Sequence, residues 1–202
     1  MTISFKDKVV IVTGAGGGLG RAYALELGRR GAKVVVNDLG GARDGSGSGA
    51  AMADLVVEQI KAAGGEAAPS YDNVATVEGG ENILKTALDA FGQVDILINN
   101  AGAMYAMPVS DMSITEAKKL FDLNVWSYIS VTQAFLPLLL KSKGIIANQT
   151  SILSVVSPPF GGAYGASKAA MAMLSNTMRL ELEPFGIKVI DLKTGAVTSQ
   201  LF

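Results

Sequence analysis

Six short apolar runs recur along the chain, and between them the apolar positions switch to a spacing of three or four. "KVVIVT" (8–13), "KVVVN" (33–37), "VDILIN" (94–99), "GIIANQ" (144–149) and "IKVIDL" (187–192) show no polar alternation, as expected of strands buried on both faces. "EAAPSY" (66–71) is a weaker strand, and Pro69 removes a ladder donor, which predicts a sheet edge. Helical spacing covers 18–31, through Leu19, Tyr23, Leu27 and Arg30, and then 50–63, 76–91, 114–141 and 163–183. The βαβα alternation predicts one doubly wound parallel sheet with helices on both faces. Right-handed crossovers and a reversal between the first and fourth strands give the order 3-2-1-4-5-6. No internal repeat and no second domain are visible. The Gly- and Ser-rich stretch 40–49 reads as a long loop, because a linker there would split a βαβ unit.

Composition narrows the chemistry. The 202 residues suit one domain with one sizeable core. With 49% hydrophobic residues, 17% charged residues and a formal net charge of −1, the chain reads as a soluble α/β domain. No basic block stands out, so neither nucleic acid nor an anionic membrane is an expected partner. The chain has no Cys and no His. That excludes a disulfide, a thiolate nucleophile and a Ser-His-Asp triad, and no metal site is expected. Acid–base work near neutral pH then falls to Tyr, Lys, Asp or Glu with a shifted pKa. No N-terminal leader pattern and no apolar stretch of the roughly 18 residues that span a membrane is seen, and a cytoplasmic location is expected.

"VTGAGGGLG" (12–20) ends the first strand and opens the first helix. A Gly-rich turn lets backbone N–H groups approach a pyrophosphate, and the helix N-terminus adds unpaired donors and partial positive charge. Gly14, Gly16, Gly18, Leu19 and Gly20 form this candidate cradle, with Gly20 allowing close packing of helix on sheet. Asp38 follows Gly20 by 18 residues, at the end of the second strand. A carboxylate there can accept from both ribose hydroxyls of an adenosine and repel a 2′-phosphate. No Lys or Arg lies within the Gly turn, and Arg43 is nearby on the loop, so NAD is expected over NADP. The other reading of Asp38 is a turn-former before Gly40.

"GGAYGASKAAM" (161–171) places Tyr164 and Lys168 at i, i+4, on one face of a helix. By themselves these are either a proton-transfer device or ordinary packing. Ser151 after a strand is equally a helix cap, and Asn124 an ordinary helix polar residue.

Taken in order, the motifs resemble the short-chain dehydrogenase/reductase family over essentially the whole chain. "TGAGGGLG" matches the family's Thr-Gly-x-x-x-Gly-x-Gly, and "YDNV" puts Asp72, Asn73 and Val74 beside the adenine position. "NNAG" (99–102) contributes Asn100, Ala101 and Gly102, and Asn124 sits in "LNVWS". Ser151 lies 13 residues before Tyr164, and Tyr164 and Lys168 form Tyr-x-x-x-Lys. "TGAVTS" (194–199) resembles the segment that holds the nicotinamide amide, contributing Gly195, Val197 and Thr198, with Thr194 in place of the usual Pro. "VTGAGGGLGRAYALEL" with "VVVNDLGG" is similar to the dehydrogenase domain of peroxisomal multifunctional enzymes, which oxidise 3-hydroxyacyl-CoA with NAD. "GAYGASKAAMAMLSNTMRLELEPFGIKV" is similar to fungal reductases of the acyl-dihydroxyacetone-phosphate reductase type.

The resemblance implies a single Rossmann-type NAD(P)-binding domain over 1–202 that ends before the family's substrate lid and seventh strand. The sixth strand is then expected as an apolar sheet edge. It implies hydride transfer between NAD(H) and a secondary alcohol or ketone, with a hydroxyacyl or lipid-like substrate among the candidates. Met104, Val155, Pro158 and Phe160 would give an apolar pocket. Tyr164 would be the general acid/base. Lys168 would lower its pKa and hydrogen-bond the nicotinamide ribose, and Tyr164 and Lys168 would both meet the cofactor. Ser151 would hold the substrate oxygen. Asn124 would anchor a water at a break in the long helix. Phe121, Trp126 and Tyr128 are expected to pack that helix against a neighbour, and a homodimer or homotetramer is implied. A peroxisomal location is implied as the alternative to a cytoplasmic one. The competing functional reading is a non-catalytic nucleotide-binding or scaffold protein of the same fold.

Overall fold

The computed structural model describes residues 3–40 and 51–197; the expected loop beyond Gly40 and Thr198 lie outside the described residues. The strands are β1 (Val9–Thr13), β2 (Lys33–Asn37), β3 (Glu66–Ser70), β4 (Ile96–Asn99), β5 (Ile145–Gln149) and β6 (Lys188–Leu192). They form one sheet in the order β3-β2-β1-β4-β5-β6, with every pair parallel. This is the predicted doubly wound order, and β3 is an edge, with Pro69 opposite Val36.

Successive residues of each strand point to opposite faces, so each strand feeds two cores. Val10, Val12, Val34, Val36, Ile96 and Ile98 face α1 (Gly18–Arg29) and α2 (Ala51–Ala62), with Val56 and Ile60 of α2 packed on them. Val9, Ile11, Val35, Leu97 and Ile146 face the other way. There they meet Ile83 of α3 (Val77–Phe91) and Phe135 and Leu139 of a later helix. Burial on both faces is why the strands read as continuous apolar blocks. Truncating the fully buried Phe135 to Ala would cost about 3–5 kcal/mol.

Boundaries differ from the sequence pattern where local chemistry intervenes. The first helix stops at Arg29, because Gly31 takes a φ of +92° and turns the chain into β2. The third begins after Thr76, whose side chain caps the N–H of Gly79. The fourth strand starts at Ile96, because the Asp95 carboxylate takes the N–H of Val9 at 2.9 Å and the ammonium of Lys8 at 2.9 Å. The expected helix 114–141 is two helices, α4 (Ile114–Phe121) and α5 (Ser127–Ser142), joined by a wide π-type turn at Asp122–Trp126. The run Ile114–Ser142 is long and apolar enough by composition to cross a membrane, but Val131, Phe135 and Leu139 are built into the core of the sheet. The last helix, α6 (Gly162–Leu182), shares that face of the sheet through Met178 and Leu182.

Candidate active site

The site lies at the carboxyl ends of β1, β4 and β5, where the strand order reverses. Gly14 leaves β1 at φ +62°, and a Cβ there would lie 2.7 Å from the Cα of Ala101. Gly16 donates its N–H to Oδ2 of Asp38 at 2.7 Å, and the other carboxylate oxygen takes the N–H of Gly40 at 2.8 Å. A Cβ on Gly16 would come within 2.7 Å of the Asp38 carboxyl carbon. The turn therefore has room for backbone only, and it seats the carboxylate at its rim. Gly17 caps α1 without a side-chain hydrogen bond, and no acidic residue stands in the first turn. Among the described residues the helix's leading N–H groups thus have no side-chain acceptor, which suits an anion. Gly20 lies close against the ends of β1 and β4: a Cβ there would strike the carbonyl oxygen of Gly14 at 2.1 Å and the amide of Asn100 at 2.5 Å. Its small size lets the first turn of α1 close onto the sheet's carboxyl edge. Leu19 is half-buried beside it.

Asn100 holds the turn from the neighbouring strand. Its amide donates to the carbonyls of Thr13 and Gly14 at 2.9 and 3.0 Å. The Thr13 hydroxyl accepts from the N–H groups of Asn100 and Ala101 at 2.9 and 3.0 Å. Asp72 lies past β3; its carboxylate accepts from the Ser70 hydroxyl at 3.0 Å, and its carbonyl from the Asn37 amide at 3.0 Å. The exposed Asn73 turns its side chain back onto the N–H of Ala75. The Val74 side chain is buried in the core, so only its backbone is available to a ligand.

Tyr164 and Lys168 stand on the first turns of α6, and Ser151 just past β5. Lys168 is 3% exposed; its ammonium donates to the carbonyl of Gln149 at 2.8 Å. It lies 5.4 Å from the ring centre of Tyr128 and 5.8 Å from that of Tyr164. Burial pushes the Lys168 ammonium down to about 8. Burial also pushes the half-buried Tyr164 phenol up, and the adjacent Ser151 hydroxyl works in the opposite direction. Desolvation thus outweighs the Ser151 hydrogen bond, and the expected lowering by Lys168 is not among the causes that set the phenol's direction.

Asn124 sits in the wide turn and is fully buried. Its amide donates to the carbonyl of Ala103 at 3.0 Å and the Ser167 hydroxyl at 3.1 Å, and its oxygen accepts the Ala103 N–H at 3.0 Å. The side chain therefore clamps the loop after β4 to α6. Gly102 lies in this clamp, where a Cβ would stand 3.5 Å from the Lys168 ammonium.

Gly195 and Val197 follow β6; a Cβ on Gly195 would meet nothing within 4 Å, and Val197 is 40% exposed. Met104, Val155 and Phe160 are exposed, and Pro158 contacts Gly161 at the start of α6. Of the three aromatics expected to pack the long helix against a neighbour, Tyr128 is buried with its hydroxyl on the Gln149 carbonyl, whereas Trp126 is exposed. Thr13 and Gln149 carry site geometry without having been singled out from sequence, and Tyr128 was singled out only for packing. Thr13 was inside a quoted motif, and Gln149 showed only as a polar end to a buried strand.

The short chain dehydrogenase family model matches residues 8–202. The chain is 48% identical over 183 residues to peroxisomal multifunctional enzyme A of Dictyostelium discoideum, covering 90% of this chain and 41% of that protein. It is 43% identical over 194 residues to a short-chain type dehydrogenase/reductase of Mycobacterium tuberculosis, covering 96% and 68%. Among solved structures, a 7α-hydroxysteroid dehydrogenase complexed with NADH and 7-oxo glycochenodeoxycholic acid superposes with a TM-score of 0.89 at 30% identity, covering 97% of this chain and 73% of that one. The chain thus spans about two fifths of the Dictyostelium relative's length.

Proposed function

Because the chain belongs to the short-chain dehydrogenase/reductase family, we propose that it interconverts a secondary alcohol and its ketone with a nicotinamide cofactor, NAD in preference to NADP. The observation that carries this reading is the meeting of Ser151, Tyr164 and a buried Lys168 at the carboxyl edge of the sheet, beside a glycine turn rimmed by a carboxylate. The residues fit the dinucleotide. The turn excludes a Cβ at Gly16, the N-terminus of α1 has no side-chain cap among the described residues, and the Asp38 carboxylate beside Gly16 would meet the adenosine ribose. That carboxylate would accept from ribose hydroxyls and repel a 2′-phosphate. The backbone around Asp72 to Val74 would line the adenine, and 194–198 the nicotinamide.

When bound, the nicotinamide supplies the hydride acceptor for oxidation and the donor for reduction. The chain's own residues handle the proton. The Ser151 hydroxyl would fix the substrate oxygen against the Tyr164 phenol. In oxidation the phenolate takes the hydroxyl proton as the carbinol C–H bond breaks; in reduction the phenol returns it to the developing alkoxide. The buried phenol resists ionisation, so the Lys168 ammonium and the positive charge of an oxidised cofactor together would favour the phenolate. Asn124 would keep Lys168 and the loop after β4 in register, and the wide turn's backbone is the candidate anchor for a water toward solvent.

The substrate in this reading carries its alcohol on an apolar acyl- or sterol-like body. Val109 and Met112 approach Gly162 at the head of α6, and exposed Val155 and Phe160 lie nearby in sequence. The hydroxysteroid dehydrogenase structure with its 7-oxo glycochenodeoxycholic acid supports that class. Self-association into a dimer or tetramer is part of the same reading, as is a peroxisomal rather than cytoplasmic setting, which a fluorescent fusion of the full-length protein would separate. The test is an absorbance screen of 3-hydroxyacyl thioesters, hydroxysteroids and simple secondary alcohols with NAD and with NADP. Turnover is expected with NAD favoured, and Tyr164→Phe should lower it about 10²–10⁴-fold. Cofactor binding without turnover on any substrate would favour the scaffold reading, and preference for NADP would overturn the role of Asp38.

A further inference from the structure

Gln149 ends β5, is 6% exposed, and hydrogen-bonds in every direction. Its amide nitrogen faces the carbonyls of Thr150 at 2.9 Å and Leu192 at 3.2 Å and the Thr194 hydroxyl at 2.6 Å. Its amide oxygen accepts from the Tyr23 hydroxyl of α1 at 2.8 Å. Two carbonyls on one side leave only one orientation of the amide, because only an NH₂ group can face both. Its backbone carbonyl accepts from the Lys168 ammonium at 2.8 Å and from the buried Tyr128 hydroxyl at 3.3 Å. One residue therefore ties the glycine-turn helix on one face of the sheet to Lys168 on the other, and both to the segment after β6.

Thr194 has a bearing on this network. It stands where the resembled motif has Pro, and Pro has neither a hydroxyl nor an N–H. Here the Thr194 N–H bonds the Leu192 carbonyl at 3.1 Å, its carbonyl takes the Ile152 N–H at 2.9 Å, and its hydroxyl meets Gln149. We infer that Gln149 is a positioning residue that locks the segment after β6 and the Lys168 ammonium to a common support, holding by hydrogen bonds a turn that a proline would hold by its ring. A site whose support is fixed in this way keeps its contacting groups in register with one another. The consequence for binding rests on the reading that 194–197 lines the nicotinamide half of the cofactor.

The test compares two probes, NADH and ADP-ribose, which lacks the nicotinamide, by calorimetric titration of the full chain. Thr194→Val should weaken NADH about 10-fold and leave ADP-ribose within about 2-fold, because it loosens the anchored segment and not the glycine turn; Gln149→Leu, which also removes the Tyr23 link to α1, should weaken NADH by at least as much and ADP-ribose by less than NADH. The double variant should be no worse than Gln149→Leu alone, since that change already removes the link to Thr194. Thr194→Ser, which keeps the hydroxyl, should restore the wild-type ratio of the two affinities. Equal weakening of both probes would make Gln149 a purely structural residue, and no change in either would remove the link; each result overturns the inference while leaving the dehydrogenase reading in place. A wild type that binds neither probe overturns the dehydrogenase reading and this inference with it. Should Gln149→Leu fail to fold, Thr194→Val and Thr194→Ser carry the same comparison.

Discussion

Lys168 is a charge held where packing alone would favour an apolar side chain. Its ammonium is nearly solvent-free, stabilised by one carbonyl and two tyrosine rings, and burial brings it down to about 8. At pH 7 it is protonated in both the folded and unfolded states, so the folded state carries the full desolvation cost. As pH rises above about 8 the folded protein loses this proton before the unfolded chain does. Stability should therefore climb from about pH 8 toward pH 10. Above pH 10 the raised phenols of Tyr164 and Tyr128 oppose the climb, because the unfolded chain ionises them first. Lys168→Met should melt about 2–6 °C higher than the wild type at pH 7 and lose the rise between pH 8 and 10. Melting curves at four pH values check this; a Met variant that melts lower at pH 7 and keeps the rise would show the ammonium to be stabilising.

Among the elements, the wide turn between α4 and α5 has the clearest stake in the site. It brings Asn124 inward to bind both backbone groups of Ala103 and the hydroxyl of Ser167. Asn124→Ala would leave both backbone groups of Ala103 without their partner, while the Ser167 hydroxyl keeps its bond to the Tyr164 carbonyl, and should cost about 2–4 kcal/mol in urea unfolding. A loss under about 1 kcal/mol would mean that water replaces the clamp. The strands and helices were legible in the sequence because their periods differ and each strand is buried twice. Their edges were less so, since caps such as Thr76 and side-chain substitutes such as Asp95 act over one or two residues. The wide turn left no mark in the apolar period; Asn124 was picked out by family resemblance, and its clamp on Ala103 was not foreseen. Gln149 was illegible for a different reason: its side chain joins Tyr23, 126 positions away, to Thr194, 45 positions away. Such a link exists only once the sheet has assembled. Burial overrode the pairwise argument at Tyr164 in the same way, because desolvation depends on the whole fold.

For the whole molecule, the sheet's carboxyl edge gathers the glycine turn, Asp38, Ser151, Tyr164 and Lys168, and the outer surface carries apolar residues elsewhere. Ile114 is 65% exposed and Trp126 56%, with Phe121 between them in sequence and lining the same shallow concavity. An apolar face of this kind fits the proposed self-association. Sedimentation velocity should return twice or four times the 20.9 kDa of this chain, and a monomer at tens of micromolar would contradict that proposal. The chemistry itself is tested most directly with an alcohol bearing deuterium on its carbinol carbon, taken from the substrates that turn over. Wild type and Tyr164→Phe would be incubated with NAD and this alcohol, and the cofactor analysed by mass spectrometry. Direct transfer at this site predicts one deuterium on the reduced cofactor from the wild type, arriving at least about 100-fold more slowly with Tyr164→Phe. A wild type that binds NAD and the alcohol yet delivers no label, or a Tyr164→Phe that delivers it at the same rate, would contradict the assignment.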